Sequence, residues 1–129
     1  MVFLVDGEIM KKIEIVKKSK DFDAIIKDNK FVKNNDFIIY YTHNDKNLNR
    51  FGISVGKKIG NAVERNYYKR VIRNICDINK NIYSKNKDYI IIMRKGCTNL
   101  SFKEKNDSFV SLINKIQFIE KDHKNEEEN

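Results

Sequence analysis

A chain of 129 residues with 40% hydrophobic and 11% aromatic content has material for one buried core and no room for two ordinary domains, which excludes global disorder despite 34% charged residues. Its 26 Lys and Arg against 18 Asp and Glu leave a formal charge of +8, so polyanions are the expected partners, nucleic acid first and membrane surfaces second. Cys76 and Cys97 make neither a metal-ligand spacing nor a disulfide framework, and no apolar run approaches the roughly 20 residues of a membrane span, so a soluble protein of the reducing cytoplasm is expected.

Met1 to Val5 is apolar, but Asp6 and Glu8 follow at once and leave no signal-peptide core. Residues 1–9, ahead of a second methionine at Met10, read as an N-terminal extension. Ser19 is placed to cap a short helix reaching about Asp28, with Phe22, Ile25 and Ile26 as its apolar stripe. The β-branched and aromatic run Phe37 to Thr42 predicts a strand covered on both faces, and Asn44 to Asn49 the turn after it. Phe51, Ile53 and Val55 alternate with Gly52, Ser54 and Gly56, so the next strand should have one apolar face and one nearly bare.

Asn61 with Glu64 three residues on has the form of a capping box, predicting a helix from here to about Asn81. At about 100° per residue with Arg65 at zero, Arg65, Lys69, Arg73, Asn66 and Arg70 occupy an arc from about 0° to 140°. Tyr67, Ile78, Val71, Ile82, Ile75, Tyr68 and Ile72 occupy the arc from about 200° to 340° by the same count, with Cys76 at the margin. Asp88 to Met93 predicts a second buried strand and Arg94 to Ser101 a loop. Phe102 to Phe118 predicts a helix with Phe109, Leu112, Ile113 and Ile116 inward, and residues 119–129 a disordered acidic tail.

No catalytic constellation emerges. His43 and His123 have no nucleophile placed beside them, the acidic residues are scattered among lysines, and Gly52, Gly56 and Gly60 match no phosphate-cradling loop. The cationic arc is different, because Arg65, Lys69 and Arg73 stack like charges at i, i+4 and i+8, with Lys57 and Lys58 just before the helix. Such stacking opposes folding, and a bound polyanion accounts for it better than the needs of the core do. The helix N-terminus near Asn61 also favours phosphate.

The segment Ser54 to Arg73, SVGKKIGNAVERNYYKRVIR, resembles the signature of the bacterial ribonuclease P protein component. The likeness extends over residues 10–118 and includes the SKDF helix start, the FIIYY strand and DYIIIMRKG after the long helix. It implies an α+β two-layer sandwich in the order αβββαβα, with a central mixed sheet and a left-handed βαβ crossover. It also implies a protein subunit of an endoribonuclease that removes the 5′ leader of precursor tRNA, with the catalytic centre and its Mg²⁺ in the RNA and none in this chain. Lys57, Lys58, Asn61, Arg65, Asn66, Lys69, Arg70 and Arg73 match the positions expected to contact the catalytic RNA. Phe22 and Tyr40 match aromatic positions of the cleft that receives the single-stranded leader, and Ile26 stands in that cleft where the family usually has an aromatic. Tyr67 stands where the family usually has an arginine, and the angle count turns it toward the apolar side. Precursor tRNA is the expected second partner, and neither a membrane nor a protein partner is called for. Two rival readings are a ribosomal-protein-like structural RNA-binding module and a duplex-DNA binder.

Overall fold

The run Tyr89 to Ile92 is apolar at every position, a pattern stable as a strand only where both faces are covered. The computed structural model describes the backbone of residues 3–5 and 19–128 and the side chains of residues 23–121, and in it this run is the middle of the central strand. In chain order the elements are β1 (Phe3–Val5), α1 (Ser19–Lys27), β2 (Phe31–Lys33), β3 (Phe37–His43), β4 (Arg50–Ser54), α2 (Ala62–Ile78), β5 (Lys87–Met93) and α3 (Phe102–Glu128). From α1 onward this is the expected αβββαβα order, and β1 precedes it. The sheet is mixed, in the order β1-β4-β5-β3-β2; β4 and β5 are parallel neighbours joined through α2, and the other pairs are antiparallel.

Alternation along the strands divides the core. Phe37, Ile39 and Tyr41 of β3, Phe51 and Ile53 of β4, and Tyr89, Ile91 and Met93 of β5 share one face. They are buried against Ile72, Ile75 and Cys76 of α2 and the stripe Phe109, Leu112, Ile113 and Ile116 of α3. The opposite face carries Phe31, Tyr40, Ile90 and Gly52 in one row across four strands. There Ile25 of α1 covers Ile90, with Tyr40 and Ile92 packed beside them.

One end of the sheet is polar. Buried Asp88 takes a bidentate pair from Arg50, Nε to Oδ1 at 2.8 Å and Nη2 to Oδ2 at 2.5 Å, and Asn44 donates to the same Oδ1 at 2.8 Å. Neighbouring Lys87, also buried, donates to Glu120 of α3 and to His43 Nε2.

Several expectations are corrected. The acidic tail does not begin at residue 119, because α3 continues to Glu128, with Ile119 packed on the core and Glu120 holding Lys87. A helix that carries an apolar stripe and an ion-pair partner past Phe118 has reason to continue. Only one face of β3 is fully buried; Ile38, Tyr40 and Thr42 are half-covered, because α1 is too short to roof the whole sheet. The second face of β4 is not bare at Gly52, which is buried. Lys95–Asn99, expected as loop, winds into a 3₁₀ turn. Gly96 is required there, since a Cβ would sit 2.6 Å from the Asn35 carbonyl oxygen.

Candidate nucleic-acid interface

The start of α2 is built as its sequence specifies. Asn61 accepts the Glu64 amide at 2.9 Å and the Glu64 carboxylate accepts the Asn61 amide at 3.2 Å, closing the capping box. Lys57 and Lys58 lie exposed in the turn just before it. With Asn61 Oδ1 accepting the cap bond, its Nδ2 group supplies the donors for a ligand. The helix ends at Ile78, earlier than Asn81, with Asn79 closing it: the Asn79 side chain donates to the Ile75 carbonyl at 2.8 Å and to Asn106 of α3 at 2.7 Å.

The buried arc of α2 is rotated from the one expected. Its centre is set by Ile72, Ile75 and Cys76, at about 340°, 280° and 20° in the same frame. Cys76 is core, where it counts as a small apolar group, and burial drives its thiol pKa upward. Arg65, Lys69 and Arg73, at about 0° to 80°, therefore lie half-buried along one margin of the contact. Asn66 and Arg70 face outward. Tyr67 and Ile78, assigned to the apolar side by the angle count, are 57% and 52% exposed. Seen from the core, their arc at about 200° to 220° is nearly opposite Cys76.

Among the described residues no carboxylate lies within ion-pair distance of Lys57, Lys58, Arg65, Lys69 or Arg70. The Nε of Arg65 is buried with no hydrogen-bond partner. A donor withdrawn from water and left unpaired is costly, so its arrangement favours an incoming acceptor. The acids of α2 do not relieve the charge, because Glu64 is turned back on the cap and Asp77 lies toward the other end of the helix.

The second candidate surface lies between α1 and the sheet. Ile26 is half-buried and the Phe22 side chain falls outside the described residues. Tyr40 is half-buried beside the Ile25–Ile90 contact, and its ring meets that of Phe31 at 5.3 Å with a 42° tilt. Phe31, 38% exposed, extends the aromatic floor and is absent from the sequence-derived set. Finding it needed the β2–β3 register, which puts Phe31 opposite Tyr40 on the α1 side. Nearby, Ala24, Ile25, Lys27, Asp28 and Thr42 line an open hollow of ≈ 470 Å³.

His43 reaches Lys87 Nζ at 3.2 Å and Glu120 at 3.7 Å, and among the described residues no nucleophile is found beside it. Cys97 is buried and its thiol is pushed up to about 11, chiefly by burial. His123 falls outside the residues whose side chains are described. Among the described residues no three His, Cys, Asp or Glu side chains are grouped to hold a metal ion, and no helix is long and apolar enough to cross a membrane.

The ribonuclease P family model matches residues 10–117. The chain belongs to the ribonuclease P protein family. It is 42% identical over 118 residues to the ribonuclease P protein component of Streptococcus pyogenes serotype M5, covering 92% of this chain and 98% of that one. The solved ribonuclease P protein of Thermotoga maritima superposes with a TM-score of 0.71 at 30% identity, covering 78% of this chain and 94% of that one. A Staphylococcus aureus ribonuclease P protein gives 0.69 at 35% identity, over 76% of this chain and 90% of that one. This ribonuclease P protein is thus a subunit of an endoribonuclease ribonucleoprotein of tRNA processing, and its partner is RNA. That assignment fits the cationic margin of α2.

Proposed function

We propose that this chain binds the catalytic RNA of ribonuclease P through the start and cationic margin of α2, and the 5′ leader of precursor tRNA through the aromatic floor between α1 and the sheet. The RNA contacts are Lys57, Lys58, Asn61 through Nδ2, Arg65, Asn66, Lys69, Arg70 and Arg73. The leader cleft is formed by Phe22, Ile26 and Tyr40, to which Phe31 is added. The observation that carries this reading is the set of five α2-region cations without an ion-pair partner among the described residues, together with the buried, unsatisfied Nε of Arg65. Cations held so close together displace the counterions condensed on RNA phosphates, and exposed rings accept any base by stacking. Bond cleavage then belongs to the RNA, which would hold Mg²⁺, and the chain supplies binding energy in the cytoplasm without a further protein partner.

The test is cleavage of precursor tRNA by the cognate RNA at low Mg²⁺. Adding the chain should accelerate cleavage where RNA alone is slow, and an unchanged rate overturns the proposed contacts. Repeating the assay with residues 1–9 removed asks whether that segment takes part.

A further inference from the structure

The outward arc of α2 carries an aromatic ring, beside one cation, that the contacts of the core do not use. Tyr67 is 57% exposed, and the ring of Tyr68 lies edge-on against it at 5.3 Å and 67°. Tyr68 is itself fixed, packed on the core with Lys105 Nζ 5.9 Å from its ring centroid. The Tyr67 ring is therefore braced from one side while more than half of the residue's surface stays open. Arg70, three residues on, is its neighbour on the helix surface and has no ion-pair partner among the described residues. Glu64, three residues before, has its carboxylate engaged by the Asn61 amide.

We propose that Tyr67 is a base-stacking platform: its ring takes an unpaired nucleobase of the RNA that α2 engages, while Arg70 takes a phosphate of the same strand. The proposal rests on the RNA-binding reading of α2 above and adds a non-ionic contact to it. Charge complementarity selects RNA over a protein as the occupant. Val63 adjoins Tyr67 one turn away, but Ile78 is eleven residues, about 16 Å, from Tyr67 with Arg70 and Asn74 between them, so the exposed apolar groups do not run on into one face. A protein-docking face would be contiguous and apolar, whereas a ring beside a guanidinium suits a nucleotide. A braced ring also loses little rotamer freedom on binding.

The test titrates the cognate ribonuclease P RNA with the full chain and its variants across a salt series. Tyr67→Ala should weaken binding by about 5- to 150-fold at every salt concentration with the log–log salt slope unchanged, because no charge is lost. Tyr67→Phe should bind as the parent does, since stacking does not need the hydroxyl. The chain has no tryptophan, so Tyr67→Trp places a single indole at the site, and its emission should be quenched as RNA is added. Because the side chain is mostly exposed, all three variants should keep the parent's melting temperature. Parent-like affinity for Tyr67→Ala, or an indole emission that RNA does not change, overturns the proposal while leaving the reading of α2 intact. A parent chain that fails to bind the RNA overturns that reading, and this one with it.

Discussion

Replacing Lys57, Lys58 and Arg70 together by glutamine separates RNA contact from folding. All three are exposed and none has an ion-pair partner among the described residues, so the substitutions remove like-charge repulsion and leave packing untouched. Stability should stay within about 0.5 kcal/mol of the parent. Arg65 and Lys69 are poorer choices, because both are half-buried and truncation would disturb the α2 contact as well as the charge. If each removed cation touches one phosphate, the slope of log affinity against log salt should shrink by about 2 to 3, at about 0.7 to 0.9 per contact. Between about 50 and about 200 mM salt, the parent's affinity should then fall roughly 20- to 40-fold more than the variant's. Filter binding or fluorescence anisotropy with the cognate RNA measures both lines, and thermal melts check the fold. Parallel lines for a folded variant would refute the assignment of these residues to the interface.

Phe31→Ala removes half of the Phe31–Tyr40 ring pair from a partly exposed position. It should weaken holoenzyme binding of precursor tRNA by about 5- to 150-fold and leave mature tRNA little affected, and equal loss for both would place Phe31 outside the leader path. Gly96→Ala drives a Cβ to 2.6 Å from the Asn35 carbonyl oxygen, beside the contact of Arg94 with the Asn34 carbonyl at 2.7 Å. A loss of about 1 to 3 kcal/mol in urea unfolding is expected, and an unchanged midpoint would mean that the turn moves aside freely. Burial lifts the Cys97 thiol from 9.0 to about 11 in the folded chain. Its contribution is therefore intact below pH 9.0 and declines as pH rises through about 11, where the unfolded thiol ionises ahead of the folded one. Urea unfolding from pH 7 to pH 11 should show this alkaline loss, and Cys97→Ala should reduce it; a variant with the parent's full loss would assign the effect to other groups.

Much of the candidate site was legible in the sequence because its signals are local. The Asn61–Glu64 spacing set the start of α2 through two short hydrogen bonds, and it formed as expected. The inward stripe of α3 followed from one helical period and is buried throughout. The orientation of α2 was harder. An angle count weights Tyr67 and Ile78 as apolar and leaves Cys76 marginal, yet only the sheet beneath the helix decides which residues are covered, and it covers Cys76. Phe31 escaped notice for a related reason, since a three-residue strand has too few positions to show a period and its face is set by pairing with β3.

Composition and spacing alone determined a strongly basic chain with a capped cationic helix, and the likeness to one family came separately, from the residues of Ser54 to Arg73; the charge and the cap reside in residue counts and in contacts between residues a few positions apart. The packed chain alone decided that β4 and β5 lie side by side in parallel, that α3 continues past Phe118 to place Glu120 on buried Lys87, and that Tyr67 faces solvent beside Arg70. Each of those depends on which distant surfaces meet, and burial against a neighbouring element is a free-energy term that no local stretch of sequence contains.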